Sequence, residues 1–137
     1  MAHSHDIPPD LTRNQGLVLG ALNHSPAPLS AYDILDRLRA DGLRAPLQIY
    51  RALDKLVERG LAHRLESLNA FVACADSHCH RKGLIAFAIC EGCGKVDEFA
   101  DAVIEERLGG WASAKGFAVK QTTMEIRGRC SDCAEAA

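Results

Sequence analysis

The chain lacks a large excess of either charge, a long apolar run and, before Cys74, any cysteine. Its 16 basic and 18 acidic residues give a formal net charge of −2, whereas proteins that bind polyanions generally carry a clear basic excess. Any nucleic-acid site must therefore be local. With 47% hydrophobic and 25% charged residues, the composition is that of an ordinary globular protein and excludes a disordered, collagen-like or coiled-coil chain.

No membrane or export segment is expected either. A bilayer span needs about 18 or more consecutive apolar residues, and the sequence contains no such run. The N-terminal stretch 1–10 also lacks the basic-then-apolar layout of a signal peptide. These two absences predict a cytoplasmic protein with no membrane partner.

The cysteines divide the chain into two halves of different kind. All six lie between Cys74 and Cys133, and in a cytoplasmic chain such clustering indicates metal or redox chemistry before disulfides. We therefore divide the chain into an N-terminal domain at 1–74, a linker at 75–83 and a C-terminal domain at 84–137. The elements expected in the two domains predict an α+β protein.

The first half reads as three helices followed by two short strands. Thr12 and Ser30 are suited to cap the first two helices, and Pro46 is suited to begin the third, which Gly60 ends. After Gly60, two alternating segments flank a turn at 67–70. This order predicts a winged helix-turn-helix; the alternative is a small helical domain to which the hairpin adds nothing functional.

The second half reads as a small α/β domain with strands at 84–90, 95–99 and 117–127 and a helix at 101–115. Four apolar residues of that helix are expected to face inward: Val103, Ile104, Leu108 and Trp111. The last strand changes its alternation partway, which a bulge or burial on both faces would explain. A sheet this small is only marginally stable by itself, and we expect the domain to dimerise through it.

Two Cys-x-x-Cys pairs carry the strongest chemical signal. They are Cys90 with Cys93, and Cys130 with Cys133. Four thiolates complete a closed tetrahedral zinc site, and each pair places two sulfurs on one tight turn. The alternative is redox chemistry, but a thioredoxin-like pair occurs singly, after a βαβ pattern. We therefore predict a structural zinc site that holds the end of the chain against the first strand turn.

A second metal site is predicted around the hairpin. A turn at 67–70 would place His63 opposite Cys74, with their Cβ atoms about 5 Å apart. An imidazole beside a thiolate is half of a zinc site, although a histidine among leucines can also be a packed core residue. Further candidate ligands lie in the linker and on the next domain: His78, Cys79, His80 and Glu98. Such a mixed set of S, N and O donors favours Zn²⁺ and would join the two domains.

The third predicted helix carries a polar stripe. Its members are Gln48, Arg51, Lys55 and Arg59, with Tyr50 beside them. Like charges four residues apart cost a helix a few tenths of a kcal/mol, which is tolerable if the stripe meets phosphates and base edges in a major groove. The alternative is a solvated face on which Asp54 and Glu58 pair with the cations. After a helix-turn-helix, the stripe predicts DNA contact.

Three segments, 30–35, 49–56 and 63–71, followed by the paired cysteine motifs, resemble the ferric uptake regulator family, nearest to its zinc uptake regulator branch. The resemblance covers nearly the whole chain. It implies a homodimeric, metal-responsive repressor that binds a palindromic DNA operator through an N-terminal winged helix, with a C-terminal dimerisation domain.

The resemblance also implies site residues. Structural zinc would lie at the four paired cysteines, and regulatory zinc at His63, Cys74, Glu98 and a linker residue, giving two Zn²⁺ per chain. The linker lacks the usual His-x-His run close before the first Cys-x-x-Cys, which leaves the identity of that ligand open. We take His80 as the first candidate, with His78 and Cys79 as alternatives. For DNA binding, the resemblance implies Tyr32, Tyr50 and Arg51. The polar stripe adds Gln48 and Lys55, and Arg44 is a further candidate.

Other functions stay open at this point. A related sensor of iron, manganese or peroxide would share most of these motifs. A zinc-dependent enzyme is disfavoured because the sequence has neither His-Glu-x-x-His nor His-x-Glu with Pro-Cys-x-x-Cys. Asp36 and Arg39 could join two dimers on one operator, or form an ordinary surface pair.

Overall fold

The computed structural model describes residues 8–74 and 84–135, which adopt an α+β fold. The chain divides into two compact units, Met1–His80 and Arg81–Ala137. Across the two described ranges, none of the helices combines the length and the apolar character that crossing a membrane requires.

The described part of the first unit contains three α-helices, α1 (Arg13–Asn23), α2 (Ala31–Leu38) and α3 (Pro46–Glu58), and a short 3₁₀ helix (Arg39–Asp41) directly after α2. The predicted caps of the first two are confirmed, since Thr12 Oγ1 accepts from the backbone N–H of Gln15 at 3.2 Å and Ser30 Oγ from that of Asp33 at 3.1 Å. Pro46 is the first residue of α3, as predicted. Gly60, with φ of +74°, turns the chain out of the helix in a conformation that favours glycine.

Apolar faces of these helices form the core of the first unit. The fully buried members are Val18, Ile34, Ile49, Leu53 and Leu56. A hairpin of β1 (Ala62–Leu65) and β2 (Ala70–Ala73) follows α3, and Leu29 joins it by reciprocal backbone hydrogen bonds of 2.8 and 3.0 Å with Phe71. The unit is therefore a winged helix-turn-helix, as the sequence predicted.

The register of the hairpin differs from the prediction. His63 pairs with Val72, and the turn spans 66–69 instead of 67–70. Asn69 takes a left-handed φ of +50°, which asparagine tolerates better than most residues, and this conformation closes the turn one residue earlier. Predicting His63 directly opposite Cys74 was therefore wrong by two positions.

The second unit is built on a three-stranded sheet of order β4-β3-β5. Its strands are β3 (Leu84–Cys90), β4 (Val96–Phe99) and β5 (Thr122–Gly128). The central strand β3 is largely buried; it pairs antiparallel with β4 and parallel with β5. Because β5 begins only at Thr122, the altered alternation reflects residues that precede the strand, and neither a bulge nor a two-faced strand is needed.

Helix α4 (Ala102–Ala114) connects β4 to β5, and Asp101 caps it by accepting from the N–H groups of Val103 and Ile104. The expectation that its apolar side chains face inward was wrong. Val103 and Trp111 are 67% and 58% exposed, Leu108 is 39% exposed, and Ile104 is only half-buried. An apolar stripe indicates that a helix face needs a partner surface, and the sheet of this unit does not supply it. A short helix, α5 (Ser131–Glu135), ends the described chain.

Candidate metal centres and nucleic-acid interface

The paired cysteines meet at one end of the sheet in the second unit. Cys90 ends β3, Cys93 lies in the β3–β4 turn, Cys130 follows β5 and Cys133 lies in α5. Parallel pairing places Cys90 opposite Gly128, which brings the segment that carries Cys130 to the end of β3. The sheet register therefore assembles four side chains that lie about 40 residues apart in two pairs.

The geometry of the four sulfurs fits a zinc ion. All four Sγ atoms lie within 4.8 Å of one another, and the Sγ atoms of Cys93 and Cys130 are 3.8 Å apart. Four sulfurs placed tetrahedrally at about 2.3 Å from zinc lie about 3.8 Å from each other. The donor set and its spacing are those of a closed structural site.

Backbone hydrogen bonds polarise this cluster. The N–H groups of Cys130, Cys93 and Gly92 donate to Cys90 Sγ at 3.3, 3.4 and 3.3 Å, and these bonds lower the pKa of Cys90 to about 6. Hydrogen bonds to the Cys90 and Cys130 sulfurs raise the pKa of Cys133 to about 12. In the metal-free cluster, Cys90 is therefore the cysteine that loses its proton first, and Cys133 holds its proton most tightly.

Sequence patterns did not identify Gly92 as part of this centre. A Cβ atom at Gly92 would lie 2.8 Å from Cys133 Sγ and 3.0 Å from Cys133 Cβ. The position therefore requires glycine, because such distances are far below ordinary contact. A glycine inside a Cys-x-x-Cys motif is a usable signal, but its clash partner is visible only once the second pair is in place.

The hairpin brings two further candidate ligands together. His63 lies opposite Val72, so Cys74 is its diagonal neighbour on the same face of the strands. The nitrogen ligand of His63 and Cys74 Sγ lie within 4.8 Å. His63 is only 7% exposed, and this burial lowers its pKa. Cys74 is disulfide-bonded in this structure. In the reduced protein, its thiolate and the neutral imidazole of His63 would supply two donors for a metal.

The remaining candidate ligands lie on β4 and in the linker. Glu98 lies on β4 opposite Phe87 and is half-buried. The linker candidates His78, Cys79 and His80 lie outside the described residues.

Helix α3 presents most of the candidate DNA-binding side chains to solvent. Arg44, Tyr50, Arg51 and Lys55 are exposed, and Tyr32, at the start of α2, is 61% exposed. Lys55 forms the ion pair with Glu58 that a solvated face would contain, at 3.6 Å. This exposed pair contributes little to stability and leaves Lys55 able to change partner.

Gln48 has a structural task in addition to its position on this face. Its Oε1 accepts from the backbone N–H groups of Arg44 at 3.0 Å and Ala45 at 3.1 Å. Ala45 is the N-cap residue of α3 and has no side-chain acceptor. Gln48 therefore satisfies N–H groups at the helix start that would otherwise lack a partner.

The sequence matches known proteins over most of its length. The profile of the Ferric uptake regulator family matches residues 11–127. The Zinc uptake regulation protein of Escherichia coli (strain K12) is 36% identical over 128 residues, which cover 91% of this chain and 73% of the relative.

Solved structures agree with this relationship. One, described as "Zinc Uptake Regulator Complexed With Zinc AND DNA", has a TM-score of 0.84 and 35% sequence identity. The match covers 92% of this chain and 84% of that chain. The crystal structure of holo XcZur has a TM-score of 0.81 and 38% identity, with 93% of this chain and 87% of that chain covered.

Proposed function

Because this chain belongs to the ferric uptake regulator family, we propose that it is a zinc-responsive, DNA-binding transcriptional repressor of zinc homeostasis genes. The observation that carries the proposal is that one unit contains both a winged helix-turn-helix and the His63–Cys74 ligand pair. A thiolate ligand favours zinc over metals that prefer oxygen donors. The protein is a regulator and not an enzyme, and it acts in the cytoplasm, where its DNA lies.

The structural zinc site consists of Cys90, Cys93, Cys130 and Cys133. Bound there, zinc supplies a cross-link between the β3–β4 turn and the end of the chain. Three backbone N–H groups hold Cys90 Sγ in place, and the parallel β3–β5 pairing brings the second pair to it. A closed site of four thiolates has no open position for a substrate, so its role is structural.

The regulatory site contains His63 and Cys74, and we add Glu98 and His80 to complete it, with His78 or Cys79 as the alternative to His80. His63 and Cys74 are supported by their proximity, whereas the others rest on the family resemblance and on their donor types. With this site filled as well, each chain holds two Zn²⁺ ions.

DNA contact is made by the exposed face of α3. Arg51 and Lys55 reach phosphates or base edges, Tyr50 lies beside them, and Arg44 and Tyr32 contact the DNA backbone from the segments next to the helix. A homodimer that reads two adjacent major grooves needs its recognition helices about 34 Å apart. The ligand set around Cys74 favours that spacing when it is filled, so DNA affinity rises with free zinc.

Dimerisation is supported by the apolar side chains that the second unit leaves exposed. They are Val103, Leu108, Trp111, Phe117, Val119 and Ile126. So large a group in a small unit is typical of an interface between subunits. Asp36 in α2 pairs with Arg39, the C-cap residue of the same helix, Oδ1 to Nε at 3.2 Å. Ordinary surface pairs do the same, and we assign this pair no contact between dimers.

The decisive experiment replaces one regulatory ligand and leaves the structural site intact. We expect Cys74→Ser to lose zinc-dependent DNA binding in a fluorescence anisotropy titration at buffered free zinc, while the protein retains its structural zinc. Glu98→Gln should weaken the zinc response, and Glu106→Gln, the same change on exposed α4, should not.

Two outcomes would contradict this proposal. Intact zinc dependence in Cys74→Ser would remove the regulatory site from the hairpin. Restoration of DNA binding by Fe²⁺ or Mn²⁺ at lower free concentration than Zn²⁺ would make the protein a sensor of another metal.

A further inference from the structure

The first turn of α3 exposes a large apolar side chain, that of Leu47, which is 56% exposed. The helix buries Ile49, Leu53 and Leu56 and turns Leu47 away from them. A single exposed leucine is ordinary on a protein surface, so its exposure alone carries no conclusion. The conclusion depends on the position of Leu47 on the helix.

Leu47 lies on the face of α3 that contains the candidate DNA-binding residues. Residues three and four apart are neighbours on a helix surface, so Leu47 adjoins Tyr50 and Arg51, both exposed. It occupies the N-terminal end of that face, as the second residue of the helix. In a helix-turn-helix, the N-terminal residues of the recognition helix contact base edges.

The polar residue next to Leu47 is engaged elsewhere. Gln48 could read adenine only with its amide oxygen and nitrogen together, yet its Oε1 already accepts from the N–H groups of Arg44 and Ala45. Releasing it would uncover two N–H groups at the start of the helix. The first turn therefore meets the base edges with an apolar side chain.

We propose that Leu47 is a specificity-determining residue that contacts the C5-methyl group of a thymine in the operator. Thymine is the base that presents a methyl group in the major groove, and contact between that group and the leucine removes apolar surface of both from water. The inference rests on the proposed function, because it needs α3 to lie in a major groove.

The test removes the two partners one at a time. A duplex is selected from random sequence with the zinc-loaded protein, and each thymine in turn is replaced by deoxyuridine, which lacks only the methyl group. We expect one thymine in each half-site to give a loss of about threefold to fivefold in affinity, the size expected for one buried methyl group. In Leu47→Ala the loss at that thymine should disappear, while losses at other thymines persist.

A matched control is available on the same helix. Val57 is 39% exposed near the C-terminal end of α3, and Val57→Ala should keep the whole thymine profile of the wild type. Far-UV circular dichroism checks that both variants keep their helices.

The possible failures can be told apart. An unchanged thymine profile in Leu47→Ala, or a wild type that ignores every thymine methyl group, overturns the role of Leu47 alone. A zinc-loaded protein that selects no duplex overturns the proposed function and this inference with it.

Discussion

Gly92 lies where even a methyl side chain would collide with Cys133, one of the four proposed zinc ligands. The Cβ atom it lacks would lie 3.0 Å from Cys133 Cβ and 2.8 Å from Cys133 Sγ. Cys133 Cβ is fixed to the backbone of α5 and cannot swing away as the end of a long side chain could. The cluster closes because this position has no side chain.

We therefore expect Gly92→Ala to weaken zinc retention at the four cysteines. Cys133 must move outward, and a displaced ligand lengthens or breaks one of four metal bonds; changes that disturb ligand positioning cost roughly 10–100-fold in metal affinity. Zinc transfer to a colorimetric chelator measures the effect. Gly128→Ala is the control, because a Cβ there would meet nothing within 4 Å, and equal zinc retention in both variants would contradict the expectation.

The two residues of the hairpin half-site were predicted together for a reason that was partly wrong. The register placed His63 opposite Cys74, whereas His63 pairs with Val72. An error of two positions leaves every side chain on its own face, because side chains alternate with period two. The pair therefore survived the error, but the left-handed Asn69 that sets the turn has no unambiguous sequence signal.

At the scale of elements, local signals predicted the helix starts and the limits of β3 well. Thr12, Ser30 and Pro46 act through atoms a few residues away, so sequence alone contains the information. The parallel pairing of β3 with β5 and the surroundings of α4 depend on distant segments. For this reason the inward face assigned to α4 was the clearest failure.

The exposed face of α4 leads to a prediction about assembly. Trp111, the chain's one tryptophan, is 58% exposed and packs only partly against Phe117, with ring centroids 5.9 Å apart. We expect Trp111→Glu to weaken the dimer by at least about 2 kcal/mol, the usual cost of losing a buried aromatic anchor. In a sedimentation velocity dilution series, the variant should then dissociate at concentrations about thirtyfold higher than those at which the wild type dissociates.

Leu68→Glu serves as the control for this change. Leu68 is an exposed apolar residue of the hairpin turn in the other unit, and the same substitution there should leave the dimer intact. A Trp111→Glu protein that sediments as the wild type does would remove α4 from the interface.

At the scale of the whole molecule, the two proposed metal sites differ in character, and this difference predicts two kinds of bound zinc. The four cysteines form a closed set of sulfur donors, in which three backbone N–H groups hold Cys90 Sγ, whereas the proposed regulatory site combines S, N and O donors. Native mass spectrometry should count two zinc ions per chain, with one lost on mild chelation. A single, resistant zinc would leave the structural cluster in place and contradict the regulatory site.

The binding of the exchangeable zinc and the binding of DNA must also affect each other equally. If filling the His63–Cys74 site raises DNA affinity by some ratio, thermodynamic linkage requires that operator DNA raise zinc affinity by the same ratio. Anisotropy titrations at low and saturating zinc give the first ratio, and competition with a chromophoric chelator, with and without DNA, gives the second. We expect the two ratios to agree in the wild type and both to fall to one in Cys74→Ser, since that variant keeps its structural zinc but lacks the coupled site. A DNA affinity that mild chelation leaves unchanged would mean that α3 binds DNA without regard to zinc, and the protein would then bind its operator constitutively.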